Sequence, residues 1–256
     1  TGSELSGDRG ARMSQPSVSW HKINTRPSTI LRSFELVPES VHAALLLRHG
    51  HRAPIKPGTS GAEVPLTARG TRTAEALGAV LGRRQPGRLL SSPVGRCVDT
   101  ARALARGAGW NQEIVQDWRL GDPGPFVVDG SLAGPMFLEL GVEVIRRQLV
   151  DLKPPPGMRQ TAEGVSLIAD LIMEGPQDPD ALDVLVTHDA IIAVVIGHIL
   201  GVVPDAATWP AFLDGAFVWS LSGQLGIAWA GSLYTTPLAP QLPGLSEESK
   251  IPLLDG

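Results

Sequence analysis

From about residue 41 to residue 229 the chain alternates short apolar runs with stretches of helical spacing, and turn residues close most of the runs. Val41 to Leu47, Arg88 to Ser91, Glu113 to Gln116 and Asp183 to Thr187 each read as a strand, being too short for a helix. Helices are predicted from Leu66 roughly to Arg83 with Thr67 as cap, and from Val94 to Arg106 with Ser92 as cap and Pro93 in the first turn. Two more run from about Leu132 to Leu149 and from Ala162 to Met173, separated by Lys153-Pro154-Pro155-Pro156-Gly157, and another from Ala190 to Leu200. Gly215 to Leu221 and Leu225 to Trp229 alternate about Ser222-Gly223, which predicts an antiparallel hairpin at the sheet edge. Strand and helix in turn make an α/β fold, a three-layer sandwich whose largely parallel central sheet is flanked by helices.

In open α/β sheets, ligands bind beyond the carboxyl ends of strands. Polar chemistry gathers at such ends here. Arg48-His49-Gly50-His51-Arg52-Ala53-Pro54 follows the first strand, Ser91-Ser92-Pro93-Val94-Gly95-Arg96 the second, and His188-Asp189 closes the strand from Asp183. Arg is a planar fork that grips phosphate with paired hydrogen bonds, and a neutral imidazole between two such groups can attack phosphorus. Taken singly, each residue has an ordinary structural reading: an ion-paired surface Arg, a capping or core His188, an Asp189 favoured by the helix dipole. Arg48, His49 and Arg52 together after the first strand suit a grip on phosphate, and Arg96 and His188 fall just after two further strands.

The order Arg-His-Gly-x-Arg-x-Pro, the Ser-x-x-x-Arg-x-x-x-Thr-Ala spacing from Ser92 to Ala101 and the His188-Asp189 pair resemble the histidine phosphatase superfamily in its acid-phosphatase form. The resemblance spans Val41 to about Trp229 and implies a phosphoglycerate mutase-like fold. It implies phosphomonoester hydrolysis through a phosphohistidine on His49, with Arg48, Arg52, Arg96 and His188 as phosphate ligands and Asp189 as proton donor to the leaving group. In the mutase-like branch the carboxylate lies in a segment after the third Arg. Asp122 is therefore an alternative acid, although Asp-Pro-Gly also shapes a turn well. Glu63 is a remoter candidate and most simply an exposed loop acid. A phosphomutase, or a non-catalytic phospho-ligand or protein-binding module on the same fold, are the alternative readings. No cofactor is implied, and the sequence holds neither a His/Cys cluster with zinc spacing nor a calcium-loop pattern.

Composition narrows the class further. With 256 residues and 43% hydrophobic content the chain can bury a full-sized core. A net charge of −4 argues against nucleic acid as partner and is compatible with a local phosphate pocket. Cys97, the single cysteine, reads as a small buried residue. No apolar stretch is long enough for a membrane span and no secretory-signal layout follows Met13, so a cytoplasmic protein is expected. Residues 1–12 read as an expression scar, 13–40 as an N-terminal arm, 41–234 as the α/β domain with a helical cover over about 131–175, and 235–256 as a Pro-rich tail. Arg83-Arg84 and Arg146-Arg147 read as solvated helix faces, and His51 as a rim or loop histidine. The expected partner is a small phosphomonoester, with Trp118, Phe126 and Phe137 as candidate outer-pocket aromatics. A homodimer is the generic assembly.

Overall fold

The computed structural model describes residues 28–238 apart from 57, 122 and 152. The expected expression scar and nearly all of the expected tail lie outside these residues. Strands β1 (Ala43–Arg48), β2 (Gln85–Ser91), β3 (Ile114–Gln116), β4 (Ala181–Thr187), β5 (Gly215–Leu221), β6 (Gln224–Trp229) and β7 (Ser232–Pro237) form one sheet. Around them lie α1 (Ile30–Phe34), α2 (Ala68–Leu81), α3 (Gly95–Ala108), α4 (Gly130–Leu140), α5 (Glu143–Val150), α6 (Thr161–Met173) and α7 (Asp189–Leu200). The strand order is β3-β2-β4-β1-β5-β6-β7. The first four run parallel to one another, and β5, β6 and β7 continue antiparallel. The β5–β6 hairpin is therefore internal. The edge is β7, which reaches into the stretch expected to be a tail.

Alternation along β1 divides the core into two. Leu45 and Leu47 face α2 and α3 through Leu77, Leu81 and Leu104. Ala44 and Leu46 face the opposite layer, built from Ile168 of α6 and Ile192 and Val195 of α7. A strand covered on both faces has no polar side to show, which is why Val41 to Leu47 is an unbroken apolar run. Helix α7 is apolar all round because it lies between the sheet and helices α5 and α6. Helices α2 and α3 touch backbone to backbone. A Cβ on Gly78 would stand 2.1 Å from Leu104 O, and one on Gly107 would stand 1.9 Å from Glu75 O.

Local details depart from the sequence reading. The predicted helix 132–149 is two helices, since Gly141 takes φ 54° and ends α4. Arg84 is no solvated residue: it donates to Pro38 O at 2.7 Å, Asp180 O at 3.1 Å and Val41 O, tying together the loops that lead into β1 and β4. Within the expected N-terminal arm, Ile30 and Phe34 are buried, and the Phe34 ring packs 5.5 Å from that of Phe217. Phe126 is likewise a core residue at 4% exposure, whereas Trp118 is 56% exposed. Among the described residues no helix is long and apolar enough to cross a membrane.

At the far end of β4 the buried carboxylate of Asp183 accepts from the Arg88 backbone N at 2.6 Å and from Arg88 Nε at 2.8 Å. The same guanidinium donates to Leu171 O and Ile172 O at the end of α6. One ion pair thus fastens the helical layer to the sheet.

Candidate active site

The parallel ladder continues one residue beyond its strands. His49 N donates to Thr187 O at 3.0 Å, and Ser92 N donates to Val186 O at 2.8 Å. The ends of β1, β2 and β4 are therefore flush, and they deliver His49, Ser92 and His188 to one edge of the sheet. Gly50 N donates to Thr100 Oγ1 at 3.0 Å, and that hydroxyl donates to Arg96 O at 2.7 Å. This is the structural reason for a threonine four residues after Arg96. On the other side, Thr67 caps α2 by accepting from Gly70 N at 3.1 Å and lies 2.8 Å from His51 Nδ1. A Cβ on Gly70 would fall 2.2 Å from His51 O, so α2 starts hard against the motif loop.

His49 is 2% exposed. Its Nε2 accepts from Arg96 Nε at 3.0 Å, and its Nδ1 lies 2.8 Å from Gly50 O. A nitrogen that accepts carries no proton, so the hydrogen sits on Nδ1 and donates to the carbonyl. Burial, then His188, Arg48 and Arg96, holds the His49 pKa well below the ordinary histidine value. The imidazole is neutral, with its lone pair on Nε2. The His188 ring lies 5.5 Å away, centroid to centroid, at 71°. Its Nδ1 faces Arg96 Nη2 at 3.4 Å and its Nε2 faces Ser92 Oγ at 3.1 Å. Burial first, then Arg96, lowers its pKa to about 3. The hydroxyl expected to cap α3 thus serves His188, and the N-cap position falls to Val94. Cys97 is fully buried beneath, with Sγ 3.7 Å from His188 Nε2.

The guanidinium groups complete the cluster. Arg96 spans both imidazoles and also donates from Nη1 to Gly61 O at 2.7 Å in the loop after β1. Arg48, 1% exposed, donates to Pro210 O at 2.8 Å and pairs with Asp189 Oδ2 at 3.0 Å. Arg52 donates to Ala53 O at 2.9 Å; burial, then Arg48 and Arg96, lowers its pKa to about 10, so it stays charged at neutral pH. Asp189 opens α7. Its Oδ1 accepts from Ala190 N at 3.0 Å and its Oδ2 from Trp209 Nε1 at 3.2 Å. Arg48, His49, Arg52, Arg96, His188 and Asp189 are therefore all brought to one place.

Asp122 lies outside the described residues. The segment leading to it is fixed: Thr187 Oγ1 donates to Leu120 O at 2.8 Å, and Arg119 pairs with Asp117 at 2.7 Å. Glu63 is exposed on the loop, as expected. Sequence reading missed Trp209, Pro210 and Phe212, which come from an irregular stretch without periodicity. The Phe212 ring lies 4.2 Å beneath the Arg48 guanidinium.

Residues 44–127 match the family model of the histidine phosphatase superfamily (branch 1). No curated protein matches the chain. Among solved structures, the chain is similar to a mycobacterial glucosyl-3-phosphoglycerate phosphatase complexed with VO3, at 24% identity and a TM-score of 0.49, over 74% of this chain and 99% of that one. It is also similar to a structure described as mycobacterial hydrolase 1, at 22% identity and a TM-score of 0.48, over 76% and 97% of the two chains. The residues matched by that family model include Arg48, His49, Arg52 and Arg96.

Proposed function

We propose that the protein hydrolyses a small phosphomonoester through a phosphohistidine on His49, with no cofactor. The observation that carries this reading is the single lone pair on His49 Nε2, facing a guanidinium inside a cluster of three arginines and a second histidine. Phosphoryl transfer asks mainly for positioning and for fixed positive charge around the equatorial oxygens. Arg96 now gives its N–H groups to His49, His188 and Gly61 O. An arriving phosphoryl group takes over those donors and uncovers the lone pair.

Nε2 then attacks phosphorus in line, and the P–O ester bond breaks with its electron pair on the leaving oxygen. Positive charge on the phosphorylated ring is eased by the Nδ1–H hydrogen bond to Gly50 O. The leaving oxygen takes a proton from a carboxylic acid, assigned to Asp189. A phosphate dianion competes with Asp189 for Arg48, which frees Oδ2 to turn to the leaving oxygen. Water next attacks the phosphohistidine and gives a proton to the Asp189 carboxylate left by the first step; the P–N bond breaks, and phosphate departs with the pair returned to Nε2.

The test is phosphate release from an aryl phosphate and a panel of metabolite phosphates in the presence of EDTA, with His49→Ala as comparison. EDTA-resistant turnover that vanishes in the variant is expected. Turnover that survives in His49→Ala sinks the nucleophile. Phosphoryl transfer to an added alcohol without phosphate release makes the protein a mutase, and no turnover with tight phosphate binding makes it a binding module.

A further inference from the structure

We infer that Phe212 is a positioning residue that holds the two motif arginines and thereby sets the affinity of the site for phosphate. Four side chains of the Arg48–Arg52 segment gather on this one ring. The Arg48 guanidinium lies 4.2 Å and that of Arg52 5.8 Å from its centroid. The His49 ring lies 5.7 Å away and the His51 ring 5.2 Å away, the latter edge-on at 67°. Phe212 is itself partly buried.

The need for such a platform follows from charge. Buried Arg48 and Arg96 and half-buried Arg52 crowd together where like charges repel; Asp189 pairs with Arg48, and buried Asp214 also acts on it. A second carboxylate beside Arg52 would neutralise the field that phosphate needs. An aromatic face attracts cations through its quadrupole and carries no net charge, so it steadies the guanidinium groups without competing for them as an anion would. The next residues fix the ring's place: Leu213 N is bonded to His49 O at 3.4 Å, and Arg48 N to Asp214 O at 2.9 Å.

This inference rests on the phosphate-site reading, so its test is read by binding as well as by turnover. Inorganic phosphate binding is measured by calorimetry on the parent, Phe212→Leu, Phe212→Tyr and a protein with pentafluorophenylalanine at 212. The last keeps the shape of the ring and reverses its quadrupole. Leucine and the fluorinated ring are expected to weaken phosphate binding about 3- to 30-fold, the range that a desolvated cation–π attraction supplies. Tyrosine is expected to restore it. In turnover the change should fall on KM more than on kcat. Equal phosphate affinity in the parent and the fluorinated protein overturns the role of the ring face, whatever becomes of Phe212→Leu. A parent that binds phosphate but hydrolyses nothing defeats the hydrolase reading and leaves the Phe212 comparison intact.

Discussion

Arg96 Nε and His49 Nε2 share one hydrogen bond of 3.0 Å, and it takes up the only lone pair the imidazole has to offer. The same guanidinium reaches His188 Nδ1, so a single side chain touches both histidines. Arg96 thereby fixes the His49 tautomer with its proton on Nδ1 and covers the Nε2 lone pair.

Arg96→Ala is expected to lower kcat/KM about 10²–10³-fold, the usual cost of losing one fixed donor to a developing oxyanion. It should also raise the pH midpoint for His49 modification by diethyl pyrocarbonate. Burial and His188 remain in the variant to depress His49, but the contribution of Arg96 is gone. A fall in activity with an unmoved midpoint would confine Arg96 to substrate contact.

His188 makes stability fall in acid. Its folded pKa is about 3, against roughly 6.5 in the unfolded chain. Between those values the unfolded chain binds more protons, so the free energy of unfolding rises with pH across that window and is flat in this group above it. His49, also depressed, acts with the same sign. His188 contributes a slope approaching about 1.4 kcal/mol per pH unit in that window. Urea midpoints for the parent should drop below pH 6.5 more steeply than those of His188→Asn. Parallel lines would refute this origin.

Asp189 is the partner of Arg48 and the proposed proton donor. Asp189→Asn should cost about 10²–10⁴-fold on an alkyl phosphate, whose leaving oxygen needs the proton, and far less on an aryl phosphate with an acidic phenol. An equal loss on both substrates assigns Asp189 to holding Arg48. Asp122→Asn, measured beside it, then becomes the variant whose loss should depend on the leaving group.

Gly78→Ala places a Cβ 2.1 Å from Leu104 O, where backbone on both sides leaves no easy escape. A destabilisation of about 1–3 kcal/mol is expected from this overpacking. Kinetic constants of the folded fraction should match the parent, because α2 and α3 meet there away from His49. Denaturant titration with initial-rate kinetics checks both.

The positions of the polar strand ends were legible because the sequence changes character there abruptly, from the apolar run of β1 to Arg48 and His49. Arg96 and His188 follow the same signal. Phe212 was not legible, since nothing local marks which apolar residue will lie beneath a guanidinium some 160 positions away in the chain, and nothing marks Trp209 as the indole that meets Asp189. Ser92 shows a subtler failure. A serine before proline is a sound cap on local grounds, yet its hydroxyl meets a histidine 96 residues on. The break at Gly141 did have a signal, an isolated glycine within a helical pattern, and a long apolar periodicity concealed it.

Strand order has a consequence for how the molecule comes into being. β1 and β2 never touch; each pairs with β4, which lies between them. A nascent chain that has reached residue 127 owns His49 and all three arginines, but no strand to join the two halves that bear them. His188 follows immediately upon that missing strand. Birth of the site therefore coincides with insertion of β4, a late, long-range closure of the kind that slows folding. Until it happens, the ribosome carries Arg48, Arg52 and Arg96 without the histidine and the strand that bring them together.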